Sequence, residues 1–138
     1  MQPDLHYDLA VYRLTRAEEC LASSRLLLDT GDYRSSANRS YYCIFHAMRA
    51  VLATKELDSK KHSGVIAFFR QYFVKTGIFD PELSKIIDSA FDLRNASDYN
   101  DFYVATKSDV EKQIEDAELF VAAVRKFLDS YNAASEMP

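Results

Sequence analysis

The sequence predicts an all-α protein, an up-down antiparallel bundle of four to five helices. Three observations predict it. Glycine and proline number only three each in 138 residues, too few for a turn-rich β-fold. Apolar residues recur at steps of three and four along most of the chain, the spacing of a buried helical stripe. Gly31, Gly77 and the internal proline fall between those stretches, where helices should stop and start. A chain of this length is expected to form a single domain over residues 1–138, with its core over about residues 8–131 and no need of a disulfide or metal.

The first helix, residues 5–30, offers Leu14, Leu21 and Leu28 beside Ala17, Ser24 and Leu27. Gly31 ends it, and Asp32 caps the second helix, residues 32–55. There Ala37, Tyr41, Ile44, Met48 and Val51 form the stripe, widened by Phe45 and Leu52. The polar crossing "ATKELDSKKHSG" leads to a short, aromatic-rich third helix, residues 62–76, which Gly77 ends. Asp80 then caps a fourth helix, residues 81–99, with Pro81 in its first position. "SDVE", residues 108–111, reads as a capping box for the fifth helix, residues 107–131. Its stripe is Val110, Ile114, Ala117, Val121, Val124, Leu128 and Tyr131, with Phe120 and Phe127 at the edges. The closing "NAASEMP" is expected to fray.

Composition excludes several function classes. The net charge of −4 makes the surface as a whole a poor trap for nucleic acid, so any contact with phosphate must come from a local basic pocket. Cys20 and Cys43 sit inside helices with no CxxC spacing and read as buried thiols of a reducing compartment. The opening "MQPDLHYDLAVYRLTR" lacks a charged stretch followed by an apolar run. No segment reaches the ~20 apolar residues of a spanning helix. The expectation is a cytoplasmic protein with no membrane contact.

The polar residues that break the apolar pattern are the candidates for function. On the fourth helix Leu83, Ile87, Ala90 and Phe91 define an inward face, and the same steps lead on to Arg94 and then Asp98. Spaced i, i+4, these two can pair. One reading is a helix end leaving the core, the arginine snorkelling to its partner. The other is a cleft lined by charge. On the second helix Arg39, Tyr42, His46 and Arg49 share a face within about 80°. Two cations, a phenol and an imidazole suit an anion such as phosphate, and the imidazole can move a proton near neutral pH. That row also fits a plain solvated face. His62 in "KKHSG" is a third candidate for a carboxylate or phosphate, or a solvated loop histidine. The three histidines have no metal-ligand spacing, and no phosphate-binding glycine loop or nucleophile elbow is present, so neither metal nor cofactor is expected.

Three stretches, "SSANRSYYCIFHAMRAVL", "KKHSGVIAFFRQYFVKTGIFD" and "AFDLRNASDYNDF", together resemble the HEPN superfamily (higher eukaryotes and prokaryotes nucleotide-binding), in its stand-alone prokaryotic branch with an Arg-x-x-x-Asp-Tyr ending. The resemblance runs over about residues 8–130. It implies a four- to five-helix bundle that forms a homodimer and has a minimal nucleotidyltransferase as partner in a toxin–antitoxin pair. Many such proteins are metal-independent ribonucleases whose motif is an arginine, four to six residues of which the first is usually polar, and then a histidine. Arg94 matches that arginine and Asn95 the polar residue. No histidine follows Arg94, and Tyr99 stands at the four-residue spacing. Arg94, Asp98, Tyr99 and His46 are then the candidates for catalysis, and Arg39, Tyr42, Arg49, Asn95 and His62 for holding nucleotide or RNA phosphate. Three functions stay open: a ribonuclease with an altered motif, a module that binds nucleotide or RNA without cleaving it, and a dimerisation or interaction subunit.

Overall fold

The computed structural model describes residues 4–136. Five helices make up the bundle: α1 (Leu5–Asp29), α2 (Tyr33–Ala53), α3 (His62–Phe69), α4 (Glu82–Tyr99) and α5 (Lys107–Glu136). Cross-helix bonds give their directions. Glu18 and Arg25 of α1 pair with Arg125 and Glu118 of α5, in reversed order, so α1 and α5 are antiparallel. Arg13 meets Arg49 and Ser24 meets Ser36, which sets α1 against α2 in the same way. Asn38 meets Asp98 and Tyr42 meets Arg94, so α4 also runs opposite to α2. The all-α, up-down expectation holds.

The second helix is the hub, packed against each of the other four. Its predicted stripe of Ala37, Tyr41, Ile44, Met48 and Val51 is buried throughout. A second core of rings joins α3 to α5, where Phe69 lies 5.5 Å from Phe120 and 5.3 Å from Phe79. The boundaries predicted from glycine hold: Gly31 and Gly77 both adopt left-handed backbone, φ 82° and 83°. The Asp32 carboxylate accepts from the Ser35 N–H, and the Asp80 carboxylate from the Glu82 N–H.

Three features depart from the sequence reading. The cap of α5 is Thr106, whose hydroxyl accepts from the Asp109 N–H, so the expected capping box at Ser108 is not the one that starts the helix. After Phe69 the third helix widens into a π-helical turn, Arg70–Val74, from which Arg70 reaches the Ser84 hydroxyl at 2.8 Å and Asp88 at 2.6 Å. The fraying expected from residue 132 begins no earlier than Glu136, with Met137 and Pro138 lying outside the described residues. Tyr131 explains the extra turn. Its hydroxyl donates to Asp4 at 3.1 Å while its ring stacks on Tyr7, pinning the end of α5 to the start of α1. No helix among the described residues is long and apolar enough to cross a membrane.

Candidate functional site

The α4 stripe does run into charge, and α2 receives it. Arg94 donates from Nε to Asp98 at 3.1 Å and from Nη2 to the Tyr42 hydroxyl at 3.3 Å. Its guanidinium also lies over three rings, 5.1 Å from Tyr41, 5.4 Å from Tyr42 and 5.9 Å from Tyr99. Asp98 accepts a second bond from the Asn38 amide at 3.2 Å. The Asn38 amide oxygen in turn accepts from Arg39, whose guanidinium covers the Tyr42 ring at 5.2 Å. A single chain of contacts thus links Arg94, Asp98, Tyr42 and Arg39. The Arg94 and Asp98 side chains are only 15% and 22% exposed, so their ion pair is far better shielded than a surface one.

Tyr42 also forms part of a groove on its other side. That groove, about 660 Å³, is lined by Tyr42, Phe45, His46, Arg49, Asp58, Ser59, Lys60 and His62. It lies between the outer face of α2 and the crossing that leads into α3. His62, at the first position of α3, is brought in by two contacts: its ring stacks on Phe45 at 4.1 Å, and its Nδ1 lies 2.9 Å from the Tyr41 hydroxyl. Burial pushes the Tyr41 phenol up to about 12, so it stays a neutral partner for that imidazole. Tyr41 reads in the sequence as core, and it is core, 1% exposed, but its hydroxyl also sets the histidine. The His46 ring, 6.1 Å from Tyr42 and 6.0 Å from Phe45, faces the same two rings.

Both imidazoles are held neutral. The His46 value is lowered by burial first, then by the positive fields of Arg16, Arg49, Arg39 and Arg13. The His62 value is lowered by burial and then by Arg94. A depressed histidine makes folding resist protons that the unfolded chain accepts, so its stability contribution is whole above the ordinary 6.5 and drains away as pH falls below it. Urea unfolding is therefore expected to give a lower midpoint at about pH 5.5 than at about pH 7.5, with a smaller difference in His46→Gln.

The structure sorts the predicted residues into two groups that share Tyr42. Tyr42, His46, Arg49 and His62 line the groove; Arg94, Asp98 and Arg39 form the network behind it. Tyr99 stands 73% exposed beside Arg94, outside the groove lining, and Asn95 lies half-buried on α4 and lines neither. Three partners escaped the sequence reading. Asn38 had a local signal, since it precedes Tyr42 by one helical turn. Arg13 and Asp58 had none, because their meeting depends on how the crossing folds back on α1 and α2.

The groove's charge sets it apart. Its lining sets Arg49 and the exposed Lys60 against Asp58 alone, and Arg39 behind it pairs with a neutral amide. By contrast, the cleft between α4 and α5, about 440 Å³, carries Asp92, Asp109 and Asp116 against Lys112 alone, a poor seat for an anion. Two neutral imidazoles, cations and aromatic faces in one opening can hold a phosphate, stack a base and accept a proton.

Comparison with known proteins agrees with the fold and narrows the kind of protein. A family profile for the HEPN domain matches residues 10–127. A "UPF0332 protein" of Thermotoga maritima is 37% identical over 123 residues, covering 89% of this chain and 93% of its own. Two Methanocaldococcus jannaschii proteins, each named "Putative toxin", are 39% identical over 112 residues and 33% identical over 130. The first of these alignments covers 81% of this chain and 83% of the relative, the second 94% and 88%.

Proposed function

This chain belongs to the HEPN family, and from that premise we propose that it is the toxin-side member of a toxin–antitoxin pair, acting in the cytoplasm by engaging nucleotide or RNA phosphate in the groove beside Tyr42. The observation that carries the reading is the concentration of positive charge around His46. Arg13, Arg16, Arg39 and Arg49 all raise the potential at that imidazole, in a chain whose net charge is −4. Phosphate is the anion that such a local field, with Lys60 and two imidazoles, is suited to receive. The half-buried ring of His62, stacked on Phe45, gives the lining an aromatic surface suited to a base. Arg94 acts at one remove, holding the Tyr42 phenol in place.

The family resemblance supports a small nucleotidyltransferase as the antitoxin and a pair of chains as the working form. Leu5 and Tyr12 of α1, 71% and 63% exposed, with Phe102, 97% exposed after α4, are apolar groups that a partner would cover.

The test is fluorescence anisotropy with a labelled single-stranded oligoribonucleotide. Wild type is expected to bind more weakly as salt rises, and Arg39→Gln to bind about fivefold more weakly because Arg39 raises the potential at His46 from behind the groove. Wild-type binding that ignores both salt and Arg39→Gln would remove the reading.

One observation favours a second reading, metal-independent cleavage. The histidine missing after Arg94 in the sequence has a counterpart in space, because His62 and His46 face the same groove as neutral imidazoles able to take a proton from a ribose 2′-hydroxyl. Cleavage of the oligoribonucleotide in chelator, lost in His62→Ala, supports it. Intact RNA under the same conditions leaves binding as the function.

A further inference from the structure

Arg13 and Arg49 come from different helices and converge on one carboxylate. Arg49 presents a fork to Asp58, Nε to Oδ1 at 3.3 Å and Nη2 to Oδ2 at 3.1 Å. Arg13 adds Nη2 to the same Oδ2 at 3.4 Å. It is aimed there by its other nitrogen, Nη1, which donates to the Arg49 carbonyl at 3.0 Å, and its side chain is only 12% exposed. Asp58 lies on the crossing between α2 and α3, 49% exposed, and also accepts from the Ser59 N–H at 2.8 Å. Two residues earlier Glu56 takes left-handed backbone, φ 57°, the turn that folds this crossing back over the arginines.

We propose that Arg13 and Arg49 form a phosphate subsite of the groove, which Asp58 fills in the free protein and which a phosphodiester of the bound strand takes over. Three guanidinium N–H groups meet only two carboxylate oxygens here, with Oδ2 shared between both arginines. A phosphodiester sets its two non-bridging oxygens wider apart on a tetrahedral centre than a carboxylate does, which suits donors that converge from two helices. The subsite is continuous with the rest of the groove. Arg49 lies one helical turn from His46, and Lys60 follows Asp58 by two residues, so a phosphate at Arg49 places the next nucleotide beside the imidazoles. This inference rests on the groove being the phosphate site and adds what occupies its two arginines in the free protein. The Asp58 end of the pair is half exposed, so a competing anion can reach the arginines from that side.

The test uses the full chain and a 5′-labelled octauridylate. Asp58→Asn is expected to bind about fivefold more tightly than wild type, the scale of one displaced surface ion pair. Adding Arg13→Gln to Asp58→Asn is expected to abolish the gain. A second readout needs no label: inorganic pyrophosphate should raise the melting temperature of Asp58→Asn more than that of wild type. Equal or weaker binding by a folded Asp58→Asn overturns the proposal, and would mean that Asp58 serves only to clamp the crossing. If wild-type binding weakens in Arg39→Gln while Asp58→Asn changes nothing, this inference falls and the groove remains the phosphate site. If neither wild type nor Asp58→Asn binds, both fall together.

Discussion

Arg94→Ala is expected to lower the stability of the protein by about 2–3 kcal/mol in urea unfolding, the cost of stripping one partner from a shielded, hydrogen-bonded charge pair. The loss has three parts. Asp98, 22% exposed, keeps the Asn38 amide but loses its counter-charge. The Tyr42 hydroxyl loses its donor, and the Tyr41 and Tyr42 rings lose a cation packed at 5.1 and 5.4 Å. Arg94→Lys is expected to recover less than half, because an ammonium cannot present a flat fork to Asp98 and Tyr42 while stacking on the rings. Asp98→Asn in the Arg94→Ala background should cost little more, since the pair acts as a unit. The variant is also expected to weaken RNA binding, through a loosened Tyr42 rather than through a lost phosphate contact. Full recovery by lysine would instead mean that only the charge of Arg94 matters.

Gly64→Ala is the second large effect, and it acts on the wall of the groove. A Cβ at Gly64 would stand 2.1 Å from the Ser59 hydroxyl oxygen and 2.7 Å from the Ser59 Cβ. Rotating the hydroxyl away does not relieve the second clash, so the backbone near Ser59 or the first turn of α3 must move. Overpacking of this kind costs about 1–3 kcal/mol. The displaced segments are the ones that carry Asp58, Lys60 and His62, so RNA affinity is expected to fall with the melting temperature. Ser59→Gly removes both clashing atoms, and the double variant Ser59→Gly/Gly64→Ala is expected to regain most of the stability lost by Gly64→Ala. Failure of that rescue would place the cost elsewhere in α3.

Much of the fold was legible because its signals are local. A glycine that takes left-handed backbone, as Gly31 and Gly77 do, marks a helix end from its own side-chain chemistry. The apolar stripe of α2 predicted its burial residue by residue. The exceptions required contacts across the chain. Nothing near residue 131 announces that Asp4 will hold Tyr131 and extend α5, and nothing in "RQYFV" marks a π-turn. The candidate site divides in the same way. The Arg94–Asp98 pair is written in its i, i+4 spacing, and the Arg39, Tyr42, His46 and Arg49 row in helical phase. That Tyr42 would receive Arg94 across 52 residues, or that Tyr41 would reach from the core to hold His62, depends on how α2, α3 and α4 pack. Asn38 and Asp58 look like ordinary surface polar residues until the bundle closes. Their role is to satisfy charge that the apolar pattern leaves on α2 and α4.

The two halves of the site meet at Tyr42. The network around Arg94 fastens α4 to α2 and orients Tyr42, while the groove beside Tyr42 carries the neutral imidazoles, with Arg49 and Lys60 in its lining. Cys20 and Cys43 take no part in it; both are buried, and burial pushes both thiols up, away from reactivity.

The central claim is that phosphate enters the groove of Tyr42, His46, Arg49, Lys60 and His62. Its most direct measurement is an amide NMR titration of uniformly labelled protein with a short 5′-phosphorylated oligouridylate in chelator. Saturable shifts are expected in the amides of α2 around Tyr42, His46 and Arg49 and in the crossing from Asp58 to His62, with α5 unmoved. Shifts gathered instead along the cleft between α4 and α5, or no shifts at concentrations where the RNA is in excess, would contradict it.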